Sequence, residues 1–104
     1  MIRVMVMVMY PTDVNAPFNF DYWKSTHMPM CATAWPKLAK WEADACAPDS
    51  GYAAVAHLYF NSMEDLQESM GGPGSGALQA DMPNYFSASA APAMLINTVA
   101  ASSG

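Results

Sequence analysis

The chain has 104 residues, 53% hydrophobic and only 12% charged, with four basic against nine acidic side chains and a net charge of −5. This length suits one domain rather than two. The acidic balance offers no basic footprint for nucleic acid and no polybasic segment for a membrane surface, and no apolar run approaches the roughly 20 residues that span a bilayer. So much apolar surface on so small a fold calls for a hollow pocket, a subunit interface, or both. Residues 1–100 are expected to form the domain and 101–104 a frayed tail.

Met1 to Tyr10 alternates Val with Met and stops at Pro11, which reads as a strand and not as a signal peptide. With no export signal, the cytoplasm is the default. Val4, Val6, Val8 and Tyr10 share one face and Met5, Met7 and Met9 the other; both are apolar, so the strand should be central in its sheet. A helix is expected from Asn15, acting as its cap, to Met28, the residue before Pro29. Ala16, Phe20, Trp23 and His27 would form one stripe on it. A histidine in an aromatic stripe faces the interior, where its ring needs a partner or a ligand.

Lys37 to Cys46 alternates Lys40, Glu42 and Asp44 against Ala39, Trp41, Ala43 and Ala45, as a half-exposed strand near an edge does. A Pro-Asp-Ser-Gly turn leads into Tyr52 to Phe60, with Ala54, Ala56, Leu58 and Phe60 on one face and Ala53, Val55, His57 and Tyr59 on the other. Ser62 caps a second helix whose buried stripe is Met63, Leu66 and Met70. Gly71, Gly72 and Pro73 end it, and the glycines of 71–76 read as a helix stop and a flexible loop rather than a phosphate cradle. A third helical piece over about 76–87 breaks or restarts at Pro83, and Ala93 to Ala100 is the last strand.

The order is β-α-β-β-α-β with a helical insert, a ferredoxin-like split βαβ arrangement with a four-stranded antiparallel sheet. Two helices cover one sheet face only. The other, with the methionines of strand one and Val55, His57 and Tyr59, is too apolar to meet water, so a homodimer closing two sheets into an α+β barrel is expected. Cys31 and Cys46 lack metal-ligand spacing and read as free thiols. No metal, P-loop or dinucleotide fingerprint is present, so no metal or cofactor is expected.

Tyr10-Pro11, the helix FDYWKSTHMP at 20–29, Phe60-Asn61-Ser62 and ADMPNYF at 80–86 together resemble the EthD family of the dimeric α+β barrel superfamily. The resemblance covers nearly the whole chain, and its most specific parts are the helix ending in His-x-Pro and the Ala-Asp-x-x-Asn-aromatic run. The family is named for an accessory protein of ether degradation. Superfamily relatives include cofactor-independent cyclases, lactone isomerases and quinone-forming monooxygenases. The resemblance therefore implies a pocket between sheet and helices.

Carried onto this sequence, the pocket would be lined by Val4, Val6, Val8 and Tyr10, by Leu58 and Phe60, and by Phe20, Trp23 and His27. It would suit a small apolar or aromatic molecule. His27 reads either as a general acid/base or as a helix-terminal histidine bonded to a backbone carbonyl. Asp81 reads first as the cap of a new turn before Pro83, and otherwise as a carboxylate partner of His27. Tyr10, Tyr59 and Tyr85 are packing residues that could also donate hydrogen bonds, and Trp35 and Trp41 could wall the pocket or fill core. His57 should face the dimer interior. Three functions follow: cofactor-free cyclisation or isomerisation with His27 assisted by Asp81 or Tyr10, a non-catalytic accessory or ligand-binding role, or cofactor-free oxygenation of a phenol.

Overall fold

The alternation of apolar residues becomes a sheet whose first strand lies at its centre and is apolar on both faces. β1 (Val4–Pro11), β2 (Leu38–Ala45), β3 (Tyr52–Phe60) and β4 (Ala93–Thr98) pair antiparallel in the order β2-β3-β1-β4. The computed structural model describes residues 1–103. Gly104, the last residue of the expected tail, lies outside the described residues. β2, with its charged row, is an edge strand as expected, and β4, the other edge, stops at Thr98 instead of Ala100. The β-α-β-β-α-β order with this sheet is the ferredoxin-like arrangement.

The register pairs Val4 with Phe60, Val6 with Leu58 and Val8 with Ala56, so these side chains share the helix-covered face. Val6, Ala54 and Phe60 are wholly buried there. Burial of each large side chain contributes roughly 1.5–3 kcal/mol.

The first helix departs from expectation at both ends. Residues 13–16 form a turn, with Asp13 accepting from the Asn15 N–H and its carbonyl from the Ala16 N–H. The helix begins only at Phe20, capped by the Asn19 side chain, which accepts from the Tyr22 N–H. α1 (Phe20–Tyr22), a π-helical turn (Trp23–His27) and α2 (Met28–Ala34) then run on without a break. Pro29 does not end the helix. The Met28 N–H reaches past the usual partner to the Trp23 carbonyl, and this wide turn sets Pro29 in the first turn of α2, where a missing N–H and a bulky ring cost least. Trp23 and Met28 would diverge by about 140° on a regular helix; the wide turn narrows that angle, and both are buried.

α3 (Met63–Met70) begins as expected, with Ser62 accepting from the Asp65 N–H at 3.1 Å. The expected glycine loop is a correction: α4 (Gly74–Asp81) starts at once after Pro73. Its first residue lies so close to α2 that an added Cβ would stand 2.4 Å from the Ala34 carbonyl oxygen, so glycine is there for close approach. Ser75 links three helices, accepting from the Trp35 indole N–H at 3.1 Å and donating to the Ser69 carbonyl at 2.9 Å. A short 3₁₀ turn (Met82–Asn84) carries Pro83.

The second sheet face has no helix over it. Met5, Met7, Met9 and Val55 are half-buried there, and Leu95 is 49% exposed. Toward β2 the same face turns polar: His57 meets Asp44 at 2.6 Å, Tyr59 donates to Glu42, and Lys40 lies against both Glu42 and the Tyr59 ring. Among the described residues no helix is long and apolar enough to cross a membrane.

Candidate functional site

Three segments converge on His27. The π-helical turn presents its ring, which is buried. The end of α4 and the following 3₁₀ turn supply Asp81, Asn84 and Tyr85, and the end of β1 supplies Tyr10. His27 Nδ1 lies 2.9 Å from Asp81 Oδ2, and His27 Nε2 lies 3.2 Å from the Tyr85 hydroxyl, which is 2.9 Å from that of Tyr10. Asp81 Oδ1 accepts from the Tyr22 hydroxyl at 2.6 Å and from Asn84 Nδ2 at 3.0 Å. Asp81 therefore partners His27 and does not cap the turn before Pro83, whose helix shows no side-chain cap. Nor does the His27 ring bond a backbone carbonyl; both of its nitrogens meet side chains.

The electrostatics follow from these contacts. The Tyr22 hydroxyl, against the opposing pull of partial burial and with help from His27 and Asn84, holds the Asp81 carboxyl below its ordinary range. Burial, reinforced by the neighbouring Tyr10, pushes Tyr85 far upward, and burial likewise raises Tyr10. Both tyrosines are neutral hydroxyls at ordinary pH. Cys31, one turn along, is pushed up to about 12 by burial and donates its S–H to the His27 carbonyl, an inert packing thiol.

Beside this network lies a cavity of about 380 Å³ between the sheet and α2 and α4. Of the expected lining, Val8, Tyr10, His27, Leu58 and Tyr85 do line it. Val4, Val6 and Phe60 instead sit in solid core beneath the helices. Phe20 and Trp23 belong to an aromatic cluster with Tyr10 and Phe18, the Phe18 and Trp23 rings meeting edge-on at 5.1 Å. Asp81 stands behind His27, outside the lining.

Residues that sequence reasoning missed are Met28, at the supposed helix end, Cys31, beyond it, and Met70, Met82 and Met94, which also line the cavity. Trp35 walls the cavity, whereas Trp41 packs against the core from the edge strand. Tyr22 and Asn84 were missed as well. Tyr59, on the open sheet face with Glu42, takes no part. Among the described residues no three of His, Cys, Asp and Glu gather as a metal ion would need.

This α+β fold, with a carboxylate–imidazole–tyrosine chain beside a largely apolar cavity between sheet and helices, defines a small ferredoxin-like protein with a pocket on the helix-covered face of its sheet. The EthD domain model matches residues 14–89, and the chain belongs to the EthD family. No curated protein matches the sequence significantly. Among solved structures the chain is similar to an EthD-like protein from Ralstonia eutropha, at 24% identity and a TM-score of 0.80 over 95% of this chain and 93% of that one. It is also similar to a dimeric ferredoxin-like protein of unknown function from Thermobifida fusca (11% identity, TM-score 0.64, 94% and 92% covered). A third is a variant of SnoaB, a cofactor-independent oxygenase from Streptomyces nogalater (10% identity, TM-score 0.65, 98% and 96% covered). At these identities the likeness is one of fold.

Proposed function

We propose that the protein is a homodimer that takes a small apolar or aromatic molecule into the cavity, and that His27, backed by Asp81, moves a proton on it without a cofactor, as in a cyclisation or isomerisation. The observation that carries this reading is the Asp81–His27–Tyr85–Tyr10 chain, buried from His27 onward, ending at a largely apolar cavity. A carboxylate-held imidazole can take a proton and have its new charge balanced in place. A shaped cavity adds orientation of a flexible substrate. The dimer is supported by the uncovered methionine face of the sheet and by the dimeric relative. Two free cysteines fit the reducing cytoplasm.

Native mass spectrometry of the protein purified from its own host tests the reading, since it weighs the oligomer and any retained molecule together. A dimer carrying an apolar or aromatic ligand is expected. With that ligand, His27→Ala should lower turnover by about 10²–10⁴-fold while binding persists; unchanged turnover would remove His27 from the chemistry. Binding without any product would assign the accessory role. The likeness to a cofactor-independent oxygenase supports oxygenation of a bound phenol as the second reading, which oxygen uptake in the presence of ligand would reveal.

A further inference from the structure

Taking the cavity as a small-molecule site, we infer that its resting state selects a ligand that donates a hydrogen bond, a phenol- or enol-type hydroxyl on an apolar frame, and disfavours one offering only a carbonyl or ether oxygen. The inference comes from counting hydrogens. Asp81 is a carboxylate and can only accept. The 2.9 Å contact therefore requires the hydrogen on His27 Nδ1. A neutral imidazole then has a bare Nε2, so the hydrogen in the 3.2 Å contact is Tyr85's. That spends Tyr85's single hydrogen, and the 2.9 Å contact with Tyr10 must be donated by Tyr10. Every hydrogen in the chain points toward Asp81.

The other interior donors are spent too. Cys31 donates to the His27 carbonyl, Trp35 to Ser75, and Ser75 to the Ser69 carbonyl. The Trp23 indole N–H lies outside the lining, on the Tyr10 side of the core, and the Gln79 amide sits in the exposed rim. What the two tyrosines can still offer an occupant is lone pairs. A ligand carbonyl would lose its water and find no interior side-chain donor, whereas a ligand hydroxyl finds acceptors waiting.

The same arrangement can carry the proton on. As the ligand O–H bond breaks, the Tyr85 oxygen takes that proton while its own passes to His27 Nε2. The electron pair stays on the ligand as an oxyanion, and the imidazolium faces Asp81. The Tyr85 hydroxyl then points back toward the cavity and donates to the oxyanion, while Tyr10 still donates to Tyr85.

Tyr22 and Asn84 are the positioning residues of this device, because both donate to Oδ1 and leave Oδ2 for His27. In Asp81→Asn they would hold the amide oxygen on their side and turn the NH₂ toward His27 Nδ1. The ring hydrogen would move to Nε2, and the whole chain would reverse.

The test measures nitrogen-15 NMR of the His27 ring and calorimetric binding of 1-naphthol, 1-methoxynaphthalene and 1-tetralone to the full chain. The wild type should show the Nδ1–H tautomer and bind the naphthol about tenfold more tightly than the ether or the ketone. Asp81→Asn should show Nε2–H and prefer the ketone. An Nε2–H tautomer in the wild type overturns the inference outright. Equal binding of the three probes overturns it while leaving the cavity a binding site. Binding of none by the folded protein removes the cavity reading and the inference with it. If Asp81→Asn does not fold, the wild-type tautomer and affinities decide alone.

Discussion

His27 is gripped at both ring nitrogens, and its partners differ in what they cost to lose. Removing Tyr85's hydroxyl leaves a neutral acceptor unpaired; removing the Asp81 charge changes the pH behaviour of the fold. Asp81's carboxyl is held below its ordinary range in the folded chain, so its contribution to stability is complete above the unfolded value of about 3.9 and is lost as pH falls through the lower folded value. Denaturant unfolding should find Asp81→Asn less stable than wild type at pH 6, with the gap narrowing below about pH 4. A gap that stays constant down to pH 2 would contradict this. Both residues were legible as candidates, His27 from the aromatic stripe and Asp81 as a carboxylate that could pair with it, although its place before Pro83 put the cap reading first. Tyr22 was not legible: it meets Asp81 across 59 positions, and no local pattern encodes that. Asn84 stands three positions from Asp81 within the Ala-Asp-x-x-Asn-aromatic run, but the run does not say which group its amide meets.

Strands and the Ser62 cap were read most directly, since alternation and a single capping side chain each act within a few residues; the caps expected at Asn15 and Asp81 are not made. The first helix was misread because the rule that a proline excludes the helix before it holds for regular α geometry, and the π-helical turn escapes it. The glycine run was misread because a close approach between helices leaves the same residue as a loop does. Two substitutions separate those meanings. Gly74→Ala drives a methyl into the Ala34 carbonyl and should cost about 1–3 kcal/mol. Gly76→Ala meets nothing within 4 Å and should stabilise by up to about 1 kcal/mol through helix propensity. Thermal unfolding of the pair checks both; if both destabilise alike, close packing at Gly74 is not the reason for the glycine.

For the molecule as a whole, the uncovered sheet face sets the expected assembly. Sedimentation at micromolar concentration should give a dimer. Met7→Lys, whose side chain stands between His57 and Leu95 on that face, should weaken the dimer at least about 100-fold by burying an unpaired charge. A wild-type monomer would leave the methionine face unexplained. The connectivity that builds the site has a consequence for synthesis. Tyr10 and Tyr85 are 75 positions apart, and His27 and Asp81 are 54. On the ribosome the strand and the histidine emerge early and wait without partners while most of the sheet is made. A nascent chain arrested before Asp81 holds the imidazole and none of what orients it, so the proton chain closes only once α4 and the turn behind it have docked.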